Sequence, residues 1–264
     1  MSDEINDRKM PLLEHIIELR NRLLFAVIAF LVTFGICYAF FKDDLFAFLL
    51  RPLAEALQNQ TDPHIIYTNL IELWVTEVKV AAFAALFLSF PIIASQIYMF
   101  VAPGLYKNER RAFLPYLFAT PVLFFLGGSL VYYVVMPVAW KFFASFQTPG
   151  GPGMVAIHLE AKASEYLSLV MTLIFAFGIC FQLPILLTLL ARVGLVSSAM
   201  LTSKRRYAIV IIFIAAAFLT PPDVLSMTSL AIPLLLLYEI SVLAVRLVEK
   251  RAQQAQGQAA PGTE

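Results

Sequence analysis

An all-α integral membrane protein, built as a bundle of six transmembrane helices with both termini on one side, is the fold class this sequence predicts. Three observations predict it. Hydrophobic residues make up 60% of the chain and charged residues 14%, whereas a soluble domain is about 45–50% apolar and about 25% charged. Several runs carry no charge over the length of a membrane span; the longest is the 29 residues from Ala112 to Trp140, and about 20 helical residues cross the hydrocarbon core. Finally, lysine and arginine gather in alternate connecting segments.

The spans follow in order. Met1 to Arg22 is polar and charged and holds no cleavable signal, so residues 1–22 form an N-terminal segment. Span one is Leu23–Phe41 and span two Val80–Val101; span three lies within Ala112–Trp140, and span four is Tyr166–Ala191. Span five begins at Tyr207 and stops near Leu219, about 20 Å of helix at 1.5 Å per residue, against a core of about 30 Å. Thr220, Pro221, Pro222 and Asp223 then force a turn, because two prolines cannot continue a helix and aspartate favours turns. Span six is roughly Val224–Val245. A short hairpin of spans five and six results, its tip within or just below one leaflet. Residues 23–246 thus form one membrane domain, and the polar, small-residue tail 247–264 is expected to be disordered.

Placing the N-terminus in the cytoplasm puts 14 lysines and arginines on the cytoplasmic side and 4 opposite, with Lys79 at the outer start of span two. That bias sets both termini inside. The loops Lys42–Lys79 and Lys141–Glu165 then face outward. A net charge of +1 suggests no nucleic-acid partner. Cys37 and Cys180 lie inside apolar runs and read as packed free thiols.

Chemistry is sparse. The chain has no phosphate-binding GxxxxGK[ST] loop, no HExxH and no paired intramembrane aspartates, and its three histidines, His15, His64 and His158, lie outside the spans. No catalytic residue, metal site or cofactor is expected. The polar residues at depth are Gln96, Gln182 and Glu239. Such groups face the bundle interior, because lipid exposure is costly, and ordinarily form interhelical hydrogen bonds worth about 0.6–2 kcal/mol. Pro184 frees a carbonyl one turn back, so Gln182 sits beside a loosened turn. Glu18 stands four residues before Arg22, an ordinary helical ion pair; Glu109 has Arg110 and Arg111 as neighbours.

Taken in order, the motifs have a family likeness. HIIELRNR (His15–Arg22), Phe90-Pro91 with Gln96 and Phe100, APGLYKNERR (Ala102–Arg111), FQLP (Phe181–Pro184), LTPPD (Leu219–Asp223) and AIP (Ala231–Pro233) with Tyr238-Glu239 resemble the TatC family. TatC proteins are six-span receptor subunits of the twin-arginine protein translocase of the bacterial cytoplasmic (inner) membrane. The likeness runs from about Leu13 to Arg246. It implies a receptor and scaffold for twin-arginine signal peptides of folded proteins, working with TatB and TatA in the lipid bilayer, several TatB–TatC copies per complex, driven by the proton-motive force. The matching signal-peptide residues are Glu18 and Glu109, with Arg20 and Arg110 beside them. A guanidinium forks onto a carboxylate with two parallel hydrogen bonds that an ammonium cannot reproduce, and the surrounding arginines repel a generically basic peptide. Thr220, Pro221, Pro222 and Asp223 match the region that docks TatA and TatB. Pro52, Phe100 and Tyr132 match further family positions, read from physics alone as a loop corner, a packed aromatic and an interfacial anchor. Gln182 departs from the glutamate common in the family and cannot ionise. The alternative class is a small-solute secondary transporter with Gln96, Gln182 and Glu239 lining one polar site. It calls for broken helices in two matched halves, and the parallel between Pro91 and Pro184 is weak.

Overall fold

The structure, a computed structural model, describes residues 12–58, 64–101, 107–148, 155, 159–219 and 224–258. Among these residues five helical stretches are long and apolar enough to cross a membrane: Glu14–Phe40, Glu72–Phe100, Pro115–Ala144, Ala163–Arg192 and Met227–Lys250. The helices that carry them are α1 (Leu12–Phe40), α3 (Glu72–Val101), α4 (Lys107–Leu130) continuing into α5 (Met136–Ala144), α6 (Ala163–Cys180) followed by α7 (Leu183–Arg192), and α10 (Val224–Gln258). These stretches coincide with spans one to four and six. Helix α9 (Arg205–Leu219) has 15 residues, about 22 Å at 1.5 Å per residue, and is as short as the prolines after it require. The hairpin tip Thr220–Asp223 lies outside the described residues.

Lipid-facing surface and interior are both apolar, as a membrane solvent dictates. Leu23, Leu24, Val27, Ile28, Leu31 and Val32 of α1 are all exposed. On a water-soluble monomer an apolar strip of this size is rare. Between helices, lipid gives no hydrophobic drive, so small residues and close backbone contact take over. Ala81, Ala84 and Ala85 of α3 pack with Cys37 where α1 lies along α3. In the α4–α6 contact, Gly127 faces the Phe177 carbonyl and Gly178 faces the Phe124 ring. Phe124 is fully buried and stacks on Phe90 with centroids 3.6 Å apart. Cys37 and Cys180 are free thiols, as expected.

Several local expectations give way to the structure. The segment after span one is not a plain loop: it holds α2 (Lys42–Ala56), with Pro52 inside the helix and buried. Leu45, Leu49 and Leu53 recur at helical spacing and pack into the core, and this is why the segment is helical. Pro52 is therefore no loop corner. Lys42 donates to Glu77 of α3 at 3.1 Å, and that carboxylate holds the Lys42 ammonium above the ordinary lysine range. Two two-residue strands add a parallel pairing to the helical fold, β1 (Ile65–Ile66) with β2 (Ala161–Lys162), Ile65 opposite Ala161. Glu72 fastens these connections, accepting from Ser164 Oγ at 2.5 Å and from the Thr68 backbone N–H at 2.9 Å.

Span three contains one wide π-turn, Val131–Val135, between α4 and α5. Pro137 follows at the start of α5, and a proline both lacks a donor and crowds the carbonyl one turn back; the wide turn makes room. Span four is not continuous: it breaks at Phe181–Gln182, just before Pro184. At the C-terminus the helix runs on to Gln258, past Arg246, where a disordered tail was expected to begin. Within the added length, Glu249 accepts from the Ser198 N–H at 2.8 Å and the Ser198 hydroxyl at 2.5 Å. It thereby ties α10 to the short helix α8 (Ser198–Ser203).

Candidate functional site

A groove of about 570 Å³ opens between the start of α1 and the last turns of α3. Its α1 wall is Glu14, Ile17, Glu18, Asn21, Arg22 and Phe25, and Gln96 faces them from α3. Positions 14, 17/18, 21/22 and 25 fall on one side of a helix, so the HIIELRNR motif delivers its carboxylates, amide and guanidinium to one face. His15 fixes that face: its ring stacks on Phe100 with centroids 4.3 Å apart and planes 18° apart. Phe100 is thus the aromatic seat for the start of α1.

Inside the groove, Glu18 and Arg22 are each about four-fifths buried at the side chain. Arg22 Nε and Nη2 both donate to the same oxygen, Glu18 Oε1, at 2.9 and 2.5 Å. Oε2 is buried and finds no donor among the described residues. A buried polar atom left in that state costs about 1–3 kcal/mol. The chemistry on offer is a half-used carboxylate facing an open, partly apolar groove, with the Gln96 amide opposite. Gln96 Nε2 reaches Ser95 Oγ only at 3.4 Å.

The other expected signal-peptide residues are placed differently. Arg20 is exposed and donates to Asn21 Oδ1 at 3.1 and 3.3 Å; it stands on the rim rather than the wall. Glu109 and Arg110 belong to the first turn of α4, and their side chains lie outside the described residues.

Gln182 holds a backbone break together. At the α6–α7 junction its N–H bonds Ile179 O at 2.9 Å, so Gly178 O loses its usual partner. The Gln182 amide restores it, donating to Gly178 O at 3.3 Å and to Thr120 O of α4 at 3.1 Å. Thr120 Oγ1 in turn shares a 2.8 Å hydrogen bond with Tyr98 OH of α3. A neutral donor is what two carbonyls require, which gives glutamine a place here that an ionised glutamate cannot fill. Gln182→Leu is expected to lose about 1–3 kcal/mol, read as a lower thermal unfolding midpoint in detergent. An unchanged midpoint would make the amide mere filler.

Glu239 lies elsewhere: Arg205 Nη2 donates to its Oε2 at 2.7 Å, and both side chains are nearly half exposed. Gln96, Gln182 and Glu239 therefore have separate surroundings and do not converge on one solute site. Tyr132, on the π-turn, is buried; its hydroxyl donates to Phe48 O at 2.7 Å and its ring stacks on Phe48, centroids 4.4 Å apart. Phe48 is the residue four before Pro52, whose missing N–H leaves that carbonyl free. The Tyr132–Phe48, Tyr98–Thr120 and Glu249–Ser198 links escape sequence reasoning. Only the first left a signal, the proline that orphans a carbonyl.

Fold and groove define a multi-pass helical membrane protein with a part-polar groove at one end, and the likeness to known proteins is specific. The family model for the Sec-independent protein translocase protein (TatC) matches residues 14–233. TatC of Magnetococcus marinus MC-1 is 51% identical over 249 residues, covering 94% of this chain and 89% of that protein. TatC of Escherichia coli K12 is 38% identical over 232 residues, 88% and 86% of the respective lengths. A crystal structure of the twin-arginine translocase receptor TatC superposes with a TM-score of 0.75 at 35% identity, covering 89% of this chain and 99% of that one. The chain belongs to the TatC family.

Proposed function

We propose that this chain is the receptor and assembly scaffold of a twin-arginine translocase and not an enzyme. It binds the twin-arginine signal peptides of folded proteins and, with TatB and TatA, exports them across the bacterial cytoplasmic membrane at the expense of the proton-motive force. In this reading α9 is the short span five and brings the count to six, both termini are cytoplasmic, and the groove opens to the cytoplasm, where signal peptides arrive. The lysine and arginine bias supports that orientation. The exposed apolar residues Val210, Ile211, Ile214 and Phe218 of α9, with the Thr220–Asp223 hairpin, offer a seat for the single-span partners, several TatB–TatC copies forming the complex.

The observation that carries the proposal is Glu18 Oε2, buried at the groove wall with no donor among the described residues. An arginine fits it, because the ligand must bring charge and directed N–H donors together. Hydrogen bonds to charged groups contribute about 1.5–3 kcal/mol each, enough for selectivity. Affinity comes mostly from burying the signal's apolar segment, at about 25 cal/mol per Å².

A photocrosslinking side chain at Ile17, on the groove wall, tests this with two peptides, one bearing Arg-Arg and one Lys-Lys. Crosslinks are expected with Arg-Arg only. Glu18→Ala and Glu109→Ala are each expected to weaken them about tenfold, the equivalent of about 1.4 kcal/mol. Equal crosslinks with both peptides, or indifference to both substitutions, would place recognition elsewhere.

A further inference from the structure

Arg22 does more than pair with its neighbour. We infer that it is a resident competitor for Glu18, a guanidinium of the receptor's own that occupies the recognition carboxylate until a stronger ligand arrives, and that this sets the discrimination between arginine and lysine. The inference rests on the receptor reading above and deepens it.

The geometry is unusual for an (i,i+4) pair. An arginine facing a free carboxylate ordinarily spreads two donors over two oxygens. Here Nε and Nη2 converge on Oε1, and Oε2 is left buried without a donor among the described residues. Helix α1 explains this: with both Cα atoms fixed one turn apart, the Arg22 side chain approaches along the helix and meets the near oxygen only. Glu18 is held but unfinished.

Two consequences follow for an incoming cation. It meets a carboxylate whose charge is already opposed by Arg22, so charge alone gains little. Lysine offers little else, a compact ammonium without a fork. Arginine brings directed donors to Oε2, and the groove beside Phe25 and Asn21 gives Arg22 room to yield. The apparent affinity of every cation is lowered by the fraction of time Arg22 holds the site, and a ligand without directed donors is lowered most. Specificity is thus gained by weakening all binding and the wrong ligand more.

The experiment uses the full-length protein in detergent and fluorescent synthetic signal peptides, Arg-Arg and Lys-Lys, against wild type, Arg22→Gln, Arg22→Lys and Glu18→Ala. Arg22→Gln is expected to tighten the Lys-Lys peptide about fivefold, in keeping with a partly exposed ion pair, and the Arg-Arg peptide less, so that the affinity ratio falls. Arg22→Lys keeps the charge and loses the two-donor grip, and is expected to give a ratio between those two. If Arg22→Gln and Arg22→Lys leave the ratio unchanged or weaken both peptides while Glu18→Ala abolishes Arg-Arg selectivity, Arg22 merely holds Glu18 and the inference fails. If instead Glu18→Ala keeps full selectivity, the receptor reading of the groove fails.

Discussion

Gly127→Ala is expected to separate α4 from α6 and to be among the most damaging single substitutions in the chain. A Cβ there would stand 2.7 Å from Phe177 O, 2.9 Å from Phe181 Cγ and 3.0 Å from Phe177 C. Two of these are backbone atoms, which cannot swing aside as a side chain can, so the helices themselves must move. The movement spreads, because across the same contact Gly178 accommodates the buried Phe124 ring, which is stacked on Phe90 and 4.9 Å from Phe87 between centroids. Overpacking of this kind costs about 1–3 kcal/mol and sometimes more. The expected result is protein that inserts but unfolds at a lower temperature in detergent and exports poorly; a wild-type midpoint would show that the helices part without penalty.

Tyr132→Phe is the second large effect, and it is specific to one oxygen. The ring and its stacking on Phe48 are kept; only the hydroxyl is lost. Phe48 O then has no helical donor, because residue 52 is proline. A part-buried carbonyl left unpaired costs up to about 1–3 kcal/mol. Pro52→Ala supplies an N–H at the right place, so the double variant Tyr132→Phe with Pro52→Ala is expected to be more stable than Tyr132→Phe alone. Such coupling between residues of separate helices is what a double-mutant cycle measures. Strict additivity in thermal unfolding would mean that the two side chains act independently.

Much of this architecture was legible beforehand, for identifiable reasons. A charge-free run such as Ala112–Trp140 leaves no choice in a bilayer, and the prolines of Thr220–Asp223 limit α9 whatever its neighbours do. The spacing of Glu18 and Arg22 fixed their pairing. Helix α2 was missed because fifteen residues with three charges near the start and a proline within read as loop; only the core beneath shows Leu45, Leu49 and Leu53 as one face. Glu239 does bond across helices, but its partner, Arg205, is far off in sequence and close only after folding. Gln182 stands out in the sequence as a polar residue in an apolar stretch, yet its partners, two backbone carbonyls, have no sequence signature.

One feature of span three reaches beyond its own turn. A π-turn is in effect one extra residue in an α-helix, and each residue turns a helix by about 100°. The wide turn Val131–Val135 therefore sets the compass bearing of everything after it, so that Trp140 points inward, buried, with its ring 5.2 Å from that of Tyr166. Delete one residue there and the helix would remain as apolar and nearly as long, while Trp140 would swing about a quarter-turn toward the lipid. To a hydropathy profile the two chains would look alike; only one would keep its indole in the protein.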